Sequence, residues 1–113
     1  MATETSYAQY IKDQLNGSGK VETNKMFGEY GVYLDGKFVA LLCDNVFYLK
    51  HIPEVAAHLT ETIEGPPYPG AKPWYIIEQT DDRDYLQHIV GVVYHALPEP
   101  KPKKEKKKKV GLD

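Results

Sequence analysis

The sequence predicts an α+β domain: an antiparallel β-meander of about four strands plus one later strand, flanked by N-terminal, middle and C-terminal helices. Two observations carry the meander. Between Lys25 and Lys50 lie three runs of β-branched, aromatic and aliphatic residues, Tyr30–Leu34, Phe38–Cys43 and Val46–Leu49. The dipeptides Asp35-Gly36 (with Lys37 after it) and Asp44-Asn45 separate them, and such pairs tolerate the positive φ of a two-residue type I′ turn. The third observation is that apolar residues on either side of this stretch recur at helical spacing. The order α, meander, α, β, α then calls for helices packed on a small sheet.

Taken in order, residues 1–3 show no pattern and are expected to fray. Ser6 and Gln9 have the spacing of a capping box, and Tyr7, Tyr10, Ile11 and Leu15 follow on one helical face until Gly17-Ser18-Gly19 ends it. Lys25–Gly28 adds a fourth strand to the meander through a bulge or tight bend, because Gly28 and Gly31 flank Glu29-Tyr30. Pro53 suits the first turn of a middle helix, in which Val55, Ala56, Leu59 and Ile63 share a face before Gly65-Pro66-Pro67 stops it. The φ-restricted run Pro67–Pro73 then leads into Trp74–Glu78, a strand by composition. Asp81 or Asp82 caps the last helix, whose stripe is Leu86, Ile89, Val90, Val93 and Leu97. Gly91 within it is expected to permit close approach to a neighbouring strand.

Length and composition fit one ordinary soluble domain, residues 1–97, followed by a disordered basic tail, residues 98–113. The formal charge of −2 hides this division: seven lysines against Glu99, Glu105 and Asp113 give the tail +4 and leave the body at −6. An acidic body repels nucleic acid and a lysine tail attracts it, so a nucleic-acid role rests on the tail. Cys43 has no partner for an intramolecular disulfide, and with no signal peptide or long apolar span the chain fits a reducing, cytoplasmic setting without membrane contact.

The residues offer no catalytic constellation. His88 and His95 share a helix face but stand about 10.5 Å apart along its axis, too far to ligate one ion. His51 and His58 straddle Pro53, and no zinc-type spacing of Cys or His occurs. There is no Gly-x-Ser-x-Gly elbow, and no base lies beside Cys43 in sequence. Asp81-Asp82-Arg83-Asp84 is explained by a helix N-terminus, and Gly28-Glu29-Tyr30-Gly31 lacks the context of a phosphate loop. Tyr30, Tyr33, Phe38 and Tyr48, with Lys25, Lys37 and Lys50 nearby, have the composition of a base-stacking sheet. The stronger expectation is that these aromatics line the sheet face that packs on helices.

Two stretches together resemble the TfoX N-terminal domain family, the TfoX/Sxy type of competence regulators. The first is Met26-Phe27-Gly28-Glu29-Tyr30-Gly31-Val32-Tyr33 with Gly36, followed by the Asp44-Asn45 turn. The second is Tyr68-Pro69-Gly70-Ala71-Lys72-Pro73. Glu29 stands where that motif has a second glycine. The similarity runs from about residue 6 to residue 97, and regulators of this type carry a further helical domain, so this chain is similar to a stand-alone version. The resemblance implies a non-enzymatic regulatory module, a co-activator of transcription in DNA uptake, with no cofactor and no metal. Its partner would be a protein, the transcription machinery being one candidate, and an exposed Tyr68 or Trp74 would anchor the contact.

Two other classes of function stay open at this point. One is sequence-independent nucleic-acid binding through Lys103, Lys104, Lys106, Lys107, Lys108 and Lys109. The other is a small-molecule or enzymatic site formed only on folding. Truncation after Leu97 separates tail from body: it moves the net charge from −2 to −6 and should abolish salt-sensitive polyanion binding while leaving the thermal midpoint nearly unchanged. A midpoint lowered by more than about 5 °C would show instead that the lysine segment packs on the body.

Overall fold

The computed structural model describes residues 3–98, so the tail lysines lie outside the described residues. The elements are α1 (Thr5–Gln14), β1 (Val21–Met26), β2 (Glu29–Leu34), β3 (Lys37–Cys43) and β4 (Val46–Leu49). They continue with α2 (Pro53–Ala56), β5 (Ile63–Gly65), β6 (Trp74–Ile77) and α3 (Arg83–Ala96). Among the described residues the strands form one open sheet of six in the order β1-β2-β3-β4-β6-β5, each pair antiparallel. The expected α+β meander with flanking helices is therefore present, extended by one strand.

Three two-residue turns build the meander, and in each both central residues have positive φ. They are Phe27-Gly28 (53° and 83°), Asp35-Gly36 (48° and 85°) and Asp44-Asn45 (54° and 58°). This is the twist-matched geometry that short hairpins prefer. Of the bulge or tight bend expected there, the first turn is the tight bend. The strand that it follows is Val21–Met26 rather than Lys25–Gly28, so Phe27 and Gly28 form the turn and not the strand. The irregularity falls in β3, where Val39 is skipped between the pairs Val32–Ala40 and Tyr33–Phe38.

The core lies between one face of the sheet and the helices. Ala8, Ile11 and Leu15 of the α1 region and Leu86, Ile89, Val90 and Val93 of α3 pack on Tyr30, Val32, Leu34, Ala40, Leu42, Phe47, Leu49, Tyr75 and Ile77. Strand alternation sends Tyr33, Leu41, Cys43, Tyr48, Trp74 and Ile76 to the opposite face, and the bulge at Val39 puts Phe38 there with them. None of these seven belongs to the core cluster. Of the four aromatics expected to face the helices, only Tyr30 does so. Tyr30 and Tyr33 are three residues apart in one strand, which puts them on opposite faces.

Four local expectations are corrected. The middle helix is a single turn, and Ile63 lies in β5. His58 N–H donates to Val55 O and Leu59 N–H to Ala56 O, tightened i−3 contacts. The Thr60 N–H, which a longer helix would direct to the carbonyl of residue 56, donates instead to the Tyr85 hydroxyl at 3.1 Å. At α1 the N-cap is Glu4, which makes no side-chain cap bond. Gln9 Nε2 donates to Asp13 Oδ1 at 2.9 Å, so no capping box forms. Thr3 is not frayed but buried, its N–H donating to Gly28 O at 3.0 Å and its Oγ1 bonded to Glu29 Oε1 at 2.6 Å and Leu42 O at 3.0 Å. Finally, a β-carbon at Gly91 would meet nothing within 4 Å, so no strand approaches there.

The two ends of α3 are satisfied differently. At the start, Asp82 Oδ1 accepts from Tyr85 N–H at 3.1 Å, an ordinary N-cap. At the far end Lys37, only 7% exposed, reaches from β3 and donates Nζ–H bonds to Tyr94 O at 3.0 Å and Leu97 O at 2.9 Å. The same nitrogen sits 4.1 Å from the centre of the Tyr94 ring. A cation placed there fills orphan carbonyls and faces the negative end of the helix dipole. Lys37→Met keeps the stem and removes both charged bonds, so it should cost about 2 kcal/mol. A thermal melt should show this as a fall of about 10 °C, and an unchanged midpoint would mean that water serves these carbonyls equally well.

Candidate functional site

The helix-free face of the sheet gathers most of the residues that the sequence singled out. Its first part is a strip of rings at the Asp35-Gly36 end. Tyr33 and Phe38 stack with centroids 5.1 Å apart, and Phe38 meets Trp74 at 5.7 Å, tilted by 57°. Lys50 Nζ lies 5.4 Å from the Phe38 ring centre. Gly31 makes room for this packing. A β-carbon there would stand 2.7 Å from the Met26 methyl and 3.2 Å from both the Phe38 and the Tyr33 ring. Its φ is ordinary for any residue, so Gly31 is required for space, whereas Gly28 and Gly36 serve turns.

The second part is a groove of about 400 Å³ lined by Glu29, Cys43, Asp44, Tyr48 and the segment Pro66–Pro69. The connection from β5 to β6 starts at the ring-strip end and folds back over this face as far as the β3–β4 turn. Pro67 is buried by that course, and Leu41 and Cys43 are shut off from water beneath the same face. Tyr68 remains 57% exposed at the groove wall, and Gly70 takes a φ of 87° in the turn behind it. Trp74 is half-buried against Phe38, and Lys72 is exposed beside it, where both line a separate hollow with Lys50 and Pro73.

Phe27 is the residue whose part the sequence concealed. It stands at the tip of the β1–β2 turn, at the same end of the sheet as the Asp44-Asn45 turn, with its side chain fully in solvent. A large aromatic at φ 53° is unusual, since that region favours Gly, Asn and Asp. Neither folding contacts nor backbone preference account for it. The sequence signal that could have found it is a phenylalanine in the first central position of a two-residue turn.

The groove carries a negative field. Glu29 Oε1 accepts from the Thr3 hydroxyl at 2.6 Å and from the Asp44 N–H at 3.0 Å, which fixes the carboxylate at the groove edge. Burial, then the charge of Glu29, push the Cys43 thiol up to about 11. Tyr48 is also raised, by burial first and then by Cys43, Asp44 and Glu29.

The histidines fall elsewhere. His51 stacks on Tyr75 at 4.3 Å and lies 3.5 Å from Glu64. His58 Nδ1 and His88 Nε2 are 3.0 Å apart, so one imidazole donates to the other and ties the end of α2 to α3. His95 lines a separate hollow with His88, Gly91 and Val92. Among the described residues no group of three or more His, Cys, Asp or Glu is placed to hold a metal ion. Nor is any described helix long and apolar enough to cross a membrane.

Two comparisons bear on this face. The family model for the TfoX N-terminal domain matches residues 13–96. An uncharacterized 12.7 kDa protein in the trpE 5′ region of Spirochaeta aurantia is 38% identical over 112 residues, covering 98% of this chain and 97% of that protein. Both similarities span the ring strip, the groove and the Phe27 turn.

The thiol gives a direct test of the face's closure. Because Cys43 is buried and its pKa lies near 11, iodoacetamide at pH 7.5 should modify it at least about tenfold more slowly in the native protein than in urea. Only thiolate reacts, so the native rate should climb toward pH 11 rather than level off near 9. Equal native and denatured rates would show that the Pro66–Pro69 segment does not cover the sheet.

Proposed function

The chain belongs to the TfoX N-terminal domain family, and on that premise we propose that it is a non-enzymatic regulatory module that works by binding another protein. The contact surface is the end of the sheet that displays Phe27 and Tyr68, with the groove at the foot of Tyr68. The carrying observation is Phe27: an aromatic ring held fully in water on a left-handed turn contributes nothing to folding and has the character of a contact anchor. The rest of the surface supports this reading. The proline segment holds Tyr68 with little freedom to lose on binding. The groove lining has carboxylates and a buried thiol whose pKa burial and Glu29 push up, which disfavours the thiolate that a nucleophile needs. The resemblance to competence regulators makes a component of the transcription machinery the partner to test first. Trp74 contributes by supporting the sheet under the loop rather than by direct contact. Nucleic-acid binding through the tail lysines is a separate matter that rests on composition alone.

Phe27→Asn separates contact from folding. Asn-Gly is the preferred pair for this turn, so the substitution should raise stability by about 1 kcal/mol, a melting rise of about 5 °C. Affinity capture from cell extract with the intact chain should lose its principal partners in Phe27→Asn combined with Tyr68→Ala. Identical partner lists from wild type and double variant would end this reading.

A further inference from the structure

The groove at the foot of Tyr68 also says what kind of partner it fits. We propose that it takes a basic segment of a partner protein, one arginine or lysine side chain whose charge meets Asp44 and Glu29 while its stem and an apolar neighbour lie against Tyr68 and Tyr48. This rests on the protein-contact reading above and adds the chemistry of the partner.

Charge complementarity carries the assignment. Among the described residues, the groove lining contains two carboxylates and no cation, together with two tyrosines and three prolines. At the other end of the face, among the described residues, Lys50 and Lys72 border Trp74 in a hollow that Glu64 also lines. The exposed aromatics Phe27 and Tyr68 both stand at the end of the face that holds the groove carboxylates. Carboxylates beside aromatic ring faces are the surroundings that hold a guanidinium or ammonium group, through ion pairing and cation–π attraction.

The acceptors are also pre-organised. Thr3, buried under the turns, fixes Glu29, and Glu29 in turn holds the N–H of Asp44. Neither carboxylate is neutralised by a basic residue among those that line the groove. The Tyr48 phenol is raised by burial first, and the negative charges of Cys43, Asp44 and Glu29 add to that in the same direction. A groove of about 400 Å³ accommodates one long side chain with an apolar neighbour, not a folded domain. A short exposed segment of the partner is therefore the unit recognised.

Phage-displayed random peptides panned on the immobilised full-length chain provide the probe. Only clones that lose binding with Tyr68→Ala are kept, which removes peptides held by the lysine tail. Those clones should carry Arg or Lys beside an apolar residue and should weaken as salt rises. Asp44→Asn with Glu29→Gln tests the charges with little disturbance, since Asn tolerates the left-handed turn and Gln retains the Oε1 acceptor. Synthetic peptides titrated by fluorescence anisotropy should bind that double variant about tenfold more weakly. Tyr68-dependent peptides that are acidic or uncharged, or that bind the double variant within about twofold of wild type, overturn the basic-segment assignment and leave the contact surface standing. A panning that returns no Tyr68-dependent peptide overturns both.

Discussion

Register is the constraint on which the rest of this structure depends. Side chains alternate faces with a period of two, so a slip of one residue in any strand would exchange the helix-covered face for the open one. Three two-residue turns with positive φ at both central positions prevent that slip. They tie β1 to β2, β2 to β3 and β3 to β4 with no slack, and Val39 alone is left over as a bulge. Once register is set, Tyr30 must join the core and Tyr33 and Phe38 must leave it. The interaction surface is thus a consequence of turn geometry as much as of the residues that form it.

Two polar residues, both nearly shut off from water, hold the sheet to its surroundings at opposite ends. Thr3 receives the Asn45 N–H and bonds Gly28, Glu29 and Leu42, so the first described residue clamps two adjacent turns. Lys37, beside the Asp35-Gly36 turn, closes the C-terminus of α3. Burying such groups is costly unless every donor finds an acceptor, and both sites meet that demand with backbone carbonyls or a carboxylate. The Thr3 clamp also reaches the functional surface, because the Glu29 it fixes forms one edge of the groove.

An open sheet covered by helices on one side leaves its other side to be dealt with. Here a loop, not a second layer of helices, covers the part over Cys43, and rings packed over Gly31 cover the other end. The result is a minor core of Leu41, Cys43 and the ring strip, separate from the main one. Covering a sheet by a proline-rich loop leaves a margin, and the groove lies along that margin. The two most exposed large apolar side chains, Phe27 and Tyr68, stand at this end of the molecule.

The sequence by itself determined the three strands from residue 29 to residue 49, two of the meander's turns, a cap at Asp81 or Asp82 and the apolar stripe of α3. Each of these rests on contacts within a few residues or on strict periodicity, and short-range patterns express both. It also carried the family resemblance, through Met26–Tyr33 and Tyr68–Pro73. Tertiary structure alone decided the extent of the middle helix, because the bond that ends it comes from Tyr85, 25 residues away. It likewise decided the burial of Thr3, whose partners Glu29 and Leu42 lie 26 and 39 residues along the chain. The face assigned to Tyr33 was legible from its odd spacing to Tyr30, but which face the helices would cover was not. The groove was beyond any local pattern, since Glu29, Asp44 and Tyr68 meet only when a loop folds back across three strands. Alternation within a strand is a local rule, whereas the choice of what packs on each face is settled by the whole chain at once.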